Sequence, residues 1–228
     1  MKKTYRTILF DVDGTLLDFD AAERDGLCQV LLSQGVAMTE AMSVCYHEIN
    51  DGYWKAYERS EITKDQIMGN RFIDFFKTLD MTVDGQAMET MFRRELNKSA
   101  ILLEGALEIC EYLKHKYSMY VVTNGVSETQ YMRLAASGLD RFFDDIFVSE
   151  DAGSQKPMIE YFEYCFSRIP DSGPEDMLII GDTLTSDIKG GNVAGIDTCW
   201  YNPHKYGRKA GIRVDHEIRR LEELKQIL

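Results

Sequence analysis

The sequence predicts an α/β fold: a doubly wound, mostly parallel sheet whose first strand is followed by an all-helical insertion. Three observations predict it. Residues 7–12 form a short apolar run rich in strand formers and end at Asp13-Gly14. Residues 18–97 carry helical spacing and helix-start signals, with no convincing strand. After Leu103, strand-like and helix-like runs alternate, as in a parallel sheet covered on both faces.

The elements follow in order. "TILFDV" reads as a buried strand. Four helices are expected next, at residues 20–34, 40–59, 64–79 and 85–97. "DAAE" (Asp20, Glu23) and "TKDQ" (Thr63, Gln66) have capping-box spacing, and Thr39 and Asp84 are N-cap candidates. Residues 105–116 are helix-like, and "MYVVTNG" is a strand ending in a polar turn. Residues 128–137 form a helix closed by Gly138, and "DIFVS" is a strand. A helix at 158–168 leads to the strand "MLIIGD", a helix at 184–194 closes at Gly195, "DTCWY" is a strand, and residues 221–228 end the chain as a helix. The expected division is a Rossmann-like core of residues 1–17 and 99–228, with a helical domain of residues 18–98.

Composition narrows the partners. A net charge of −12 over 228 residues disfavours nucleic-acid polymers and anionic membrane surfaces. It also disfavours an anionic substrate unless a metal or a local lysine reverses the sign. The five cysteines (Cys28, Cys45, Cys110, Cys165, Cys199) are odd in number and never form CxxC, so reduced, buried thiols in a cytoplasmic protein are expected. The basic N-terminus lacks a long apolar core or cleavage site, and no window approaches a membrane span. The four histidines show no metal-ligand or His–carboxylate spacing. The sequence sets no oligomeric state.

Ligands of open parallel sheets bind outside the carboxyl ends of the strands. There this chain places Asp11, Asp13 and Gly14; Thr123, Asn124 and Gly125; Lys156 and Pro157; Gly181, Asp182 and, five residues on, Asp187. Any one strand-end aspartate is ordinarily a turn or cap residue, and Asp187 alone could decorate a helix start. The ordered set is what points to chemistry. Asp11 and Asp13, two apart on extended backbone, share one side. One can be a nucleophile and the other an acid, then a base. Asp182 and Asp187 suit a hard, oxygen-liking Mg²⁺. Lys156 is a point charge for a phosphoryl group, and Thr123 with nearby backbone N–H groups can hold its oxygens.

These motifs, "DVDGT", "TNG", "KP" and "GDTLTSD", resemble those of the haloacid dehalogenase-like hydrolase superfamily in order and spacing over nearly the whole chain. The insertion resembles the cap that one subclass carries. The resemblance implies Asp11 as the nucleophile that forms an aspartyl-phosphate, and Asp13 as acid and then base. It implies Mg²⁺ held by Asp11, the Asp13 main-chain carbonyl and Asp182, with Thr15 and Asp187 behind them; Asp187 would hold a metal-bound water or Lys156. Thr123, Asn124, Gly125 and Lys156 would bind the phosphate. An acidic residue at position 13 argues for phosphoryl transfer over carbon–halogen cleavage, since the dehalogenases of the superfamily lack one there.

The insertion is rich in aromatics. Tyr46, Tyr53, Trp54 and Tyr57 lie near one helical stripe, and Phe19, Arg71 and Phe72 are further candidates to face a cleft between cap and core. Such stripes usually pack as core; the alternative is that one or two rings stack on a nucleobase. "LLDFDAAE" and "GYWKAYE…NRF" are also similar to the bacterial 5′-nucleotidases of the superfamily. The expectation is a Mg²⁺-dependent phosphatase for small phosphate monoesters, nucleoside 5′-monophosphates first. A sugar-phosphate phosphatase or phosphoglucomutase is the alternative, and a non-catalytic regulatory binding protein the alternative outside enzymes.

Overall fold

The computed structural model describes residues 4–228; Met1, Lys2 and Lys3 of the expected basic N-terminus lie outside the described residues. Two compact units emerge, one of the chain up to Phe19 together with Ala100–Leu228, the other Asp20–Ser99.

The first unit is built on a parallel sheet of β1 (Thr7–Phe10), β2 (Ser118–Thr123), β3 (Asp145–Val148), β4 (Met177–Gly181), β5 (Asp197–Tyr201) and β6 (His216–Ile218), in the order β3-β2-β1-β4-β5-β6. The chain starts in the middle, winds outward through β2 and β3, then returns past β1 to β4 and winds the other way. The direction reverses at β1 and β4, which is where such sheets bind ligands. Both faces are covered, so the central strands read as continuous apolar runs. Ile8 and Phe10 pack on one face with α5 (Ala106–Lys114), with Leu134 of α6 (Ser127–Ser137) and with Leu224 of α10 (Leu224–Ile227). Leu9 points to the other, against Phe162 of α8 (Ile159–Phe166) and Ala194 of α9 (Lys189–Ala194). The single turn α7 (Ser149–Ala152) follows β3 directly.

Three details depart from the sequence reading. β6 was not foreseen. Residues 184–194 are not one regular helix: Leu184–Ile188 is a π turn that runs into α9. Residues 221–223 are a 3-10 turn before α10. Gly138 and Gly195 do close their helices in the left-handed conformation, at φ +70° and +73°.

The second unit holds the expected four helices: α1 (Phe19–Ser33), α2 (Glu40–Glu58), α3 (Lys64–Lys77) and α4 (Gly85–Leu96). Thr63 and Gln66 form a reciprocal capping box, Thr39 accepts from Met42 N, and Asp84 accepts from Gln86 N and Ala87 N. Asp20 is not a cap. The helix begins at Phe19, so Asp20 sits in the first turn, where its charge favours the helix dipole.

The core of this unit is aromatic: Tyr46 stacks on Phe72 at 5.0 Å, and both meet Phe92. Tyr46 and Phe72 are therefore packing residues and not surface candidates. Arg71 is equally buried, bidentate to Glu89 (2.8 and 2.7 Å) and bonded to Asn50. Its guanidinium is spent inside the unit, which corrects its assignment to ligand binding. Asn50 donates to Glu23, and Glu23 meets His47 at 2.8 Å, a histidine–carboxylate pair that sequence spacing did not show. Among the described residues no disulfide forms; Cys110, Cys165 and Cys199 are buried as expected, but Cys28 and Cys45 are half-buried. Among the described residues no helix is long and apolar enough to cross a membrane.

Candidate active site

Four strand ends deliver the site. Past β1 the ladder continues one residue, Asp11 N donating to Ile180 O at 2.9 Å, so the carboxylate of Asp11 is fixed by the sheet itself. The chain then turns at Gly14, φ +77°. A Cβ there would lie 2.6 Å from Asp182 Oδ2, so glycine serves both the turn and the approach of Asp182.

Lys156, 1% exposed, organises the centre. Its ammonium donates to Asp11 Oδ1, Asp187 Oδ1 and Val122 O, each at 2.7 Å, which satisfies all three N–H groups. Its main chain is pinned by Asn124, whose Oδ1 accepts from Lys156 N and whose Nδ2 donates to Lys156 O, both at 2.9 Å. The Asn124 side chain thus positions the lysine, and only its backbone is left as a phosphate ligand. Thr123 is buried and accepts from Gly125 N at 3.1 Å. Thr15 donates to Asp11 Oδ2 at 3.3 Å.

Asp187 is held by the turn that carries it. Thr183 N donates to its Oδ2 at 3.0 Å, and a Cβ at Gly181 would collide with it at 2.3 Å. Asp182 takes a hydrogen bond from Thr183 Oγ1 at 3.2 Å, and its carbonyl accepts from the indole of buried Trp200 at 2.7 Å.

Oxygens of Asp11, Asp182 and Asp187 all lie within 4.8 Å of one another. Three carboxylates around one ammonium, Asp11 and Asp187 buried and Asp182 half-buried, are short of positive charge. Burial pushes the Asp11 carboxyl up to about 7, with Asp187 adding and Lys156 opposing. Asp182 is pushed well above the ordinary carboxylate range by burial, then by Asp11 and Asp187. Burial works against the Lys156 ammonium too, yet its two carboxylates prevail and raise its pKa. A cluster of hard oxygen donors in this condition fits a divalent cation such as Mg²⁺.

Asp13 sits apart from Lys156. Its carboxylate accepts from Arg133 Nη1 and from Gln130 Nε2, the latter at 2.7 Å. Sequence reasoning missed both residues, and also Thr183 and Trp200. The one available signal was Gln130 and Arg133 lying three apart on α6 beside the buried Leu134. Of the aromatic candidates, Phe19 lies under the Arg133 guanidinium at 5.8 Å. Tyr57 is buried, while Tyr53 and Trp54 are half-buried on α2 within the helical unit, and Tyr53 donates to Asp74 at 2.6 Å.

Comparison with known proteins adds a family and three relatives. A family model described as haloacid dehalogenase-like hydrolase matches residues 5–195. The HAD-hydrolase YfnB of Bacillus subtilis (strain 168) is 49% identical over 226 residues, covering 99% of this chain and 96% of that protein. Its magnesium-bound crystal structure superposes with a TM-score of 0.95 over 99% of both chains. The pyrimidine 5′-nucleotidase PynA of Streptococcus pneumoniae (strain ATCC BAA-255 / R6) is 38% identical over 96% of this chain and 93% of its own length. The pyrimidine 5′-nucleotidase YjjG of Escherichia coli (strain K12) is 31% identical over 97% and 96%.

Proposed function

Since the chain belongs to the haloacid dehalogenase-like hydrolase family, we propose that it is a Mg²⁺-dependent phosphatase whose substrates are pyrimidine nucleoside 5′-monophosphates. The observation that carries the chemistry is the joint grip of Lys156 on Asp11 and Asp187 beside Asp182, with Asp13 close in sequence but held separately.

Lys156 and Thr15 orient the Asp11 carboxylate, one oxygen of which attacks phosphorus. A new bond forms between that oxygen and phosphorus while the bond to the nucleoside oxygen breaks, and Asp13 delivers a proton to the departing oxygen. In the second half Asp13 takes a proton from water as the water oxygen bonds to phosphorus. The acyl-phosphate bond breaks, which returns Asp11 and inorganic phosphate. Thr123 Oγ1 and the backbone amide of Asn124 hold the phosphoryl oxygens, with the charge of Lys156 beside them. Mg²⁺, held by Asp11, the Asp13 main-chain carbonyl and Asp182, would neutralise charge on the phosphoryl oxygens. Asp187 keeps Lys156 in line.

The nucleotide assignment rests on the two pyrimidine 5′-nucleotidases matched over nearly full length. Phosphate release from dUMP, dTMP, glucose 1-phosphate and glycerol phosphate, at equal low concentration with and without Mg²⁺, tests it. The expected result is Mg²⁺ dependence and kcat/KM for the nucleotides at least about 10-fold above the sugars, equivalent to ~1.4 kcal/mol. Equal rates on the sugar phosphates would overturn the substrate assignment. Asp11→Asn should leave only trace turnover with the fold intact; more than that would sink the covalent route.

A further inference from the structure

We infer that Arg133 and Gln130 are positioning residues for Asp13: they set the direction of its carboxylate for proton transfer to the leaving oxygen. This rests on the phosphatase reading above.

Arg133 is wholly buried, while Asp13 is 25% exposed on its side chain. Burying a guanidinium costs several kcal/mol unless it is well paired. A Leu or Met at 133 would extend the apolar packing begun by Leu134 at no such cost, so packing does not explain an arginine here. What the arginine does is reach Asp13 Oδ1, 120 positions away in sequence. Gln130, one turn earlier on α6 and 2% exposed, takes Oδ2 of the same carboxylate at 2.7 Å. With one donor on each oxygen, the plane and direction of the carboxylate are fixed, and its remaining lone pairs are the ones offered to a substrate.

Two neighbours support the grip. A Cβ on Gly125 would fall 2.1 Å from Gln130 Nε2, so the glycine ending "TNG" clears the path of that amide. The ring of Phe19 lies 5.8 Å from the Arg133 guanidinium and backs it on a further side. Two residues of α6 thus grip a single carboxylate, supported by Phe19 at the start of α1 and Gly125 in the turn after β2.

The test separates proton delivery from general damage. kcat/KM reports only the steps up to loss of the first product, so it senses how far the leaving group needs an acid. The substrates are dUMP, whose alkoxide is a poor leaving group, and 4-nitrophenyl phosphate, whose phenolate needs little help. Arg133→Met and Gln130→Met are each compared with Asp13→Asn. The expected result is a loss of about 10²-fold for dUMP, the scale of a 1 Å misplacement, against a few-fold for the aryl ester. Arg133→Lys should recover part of the difference. If Arg133→Met does not fold, Gln130→Met, which keeps the ion pair, carries the test. Equal losses on both substrates, or faster dUMP hydrolysis, would overturn the inference. If Asp13→Asn itself shows no leaving-group dependence, the fault lies in the reading of Asp13 as the acid, and the inference falls with it. If Asp13→Asn shows it and both α6 variants do not, the positioning role alone is wrong.

Discussion

At Gly181 the absence of a side chain makes room for Asp187. The Asp187 carboxyl carbon occupies the space a Cβ would need, 2.3 Å away, and Asp187 in turn holds Lys156. Gly181→Ala should push Asp187 off the lysine and lower kcat by about 10²-fold, with only a modest fall in Tm. Near wild-type turnover on dUMP would show that Asp187 has room to adjust. Residues of this kind mark the limit of legibility. Asp11, Asp13, Lys156, Asp182 and Asp187 stood out because aspartates and a lysine at the ends of apolar runs have few other reasons to recur. Gln130, Arg133 and Trp200 did not, because each is explained only by a partner brought close by folding. The role of the Asn124 side chain was equally hidden, because it binds the Lys156 backbone, a contact 32 positions away.

Elements with local start signals were the easiest to read. α2, α3 and α4 announce themselves with Thr39, Thr63 and Asp84, whose side chains do cap them. β6 was invisible because three residues cannot display alternation, and the π turn at Leu184–Ile188 has the same apolar pattern as a helix. That turn packs with Trp200, Ile212 and Val214, and Trp200 also donates to the Asp182 carbonyl at 2.7 Å. Trp200→Phe keeps the packing and deletes the donor. Mg²⁺ affinity measured by calorimetry should weaken by roughly 10-fold, the usual cost of losing such outer support; an unchanged Kd would show the contact to be idle.

In the helical unit, α1 and α2 meet through Glu23 and His47. The Glu23 hydrogen bond lifts the His47 pKa from 6.5 to about 9, against the opposing effect of burial. A folded pKa above the unfolded one means the pair's contribution is complete below about 6.5 and disappears as pH rises through about 9. The Tm gap between wild type and His47→Gln should therefore be widest below pH 6.5 and close by pH 10. The gap is expected to be small, since the imidazole is half-exposed and screened. A gap that widened with pH would reverse the assignment.

The whole molecule carries −12 charges and is proposed to take a dianion. Lys156 and the proposed metal reverse the sign only locally, so the approach of substrate runs against the net field. Raising NaCl from about 10 to about 150 mM shortens the Debye length from ~30 to ~8 Å. kcat/KM for dUMP at saturating Mg²⁺ should then rise, by about twofold. A fall would mean that attraction at the site dominates the encounter.

The chain order also dictates a timetable. β1, which leads into Asp11, is made before the other strands of the sheet, but Phe10 pairs with Val121 on one side and Ile180 on the other. Before either partner emerges the ribosome must deliver the whole of α1–α4. A nascent chain can thus fold the helical unit, built from local contacts, while β1 still waits without neighbours. The middle of the sheet closes only when β4 emerges, and Lys156 and Asp182 arrive with that last stretch. The reactivity proposed for Asp11 is in this way deferred until β4 has been made, and a chain stalled before β4 holds an apolar strand that chaperones would see and phosphate esters would not.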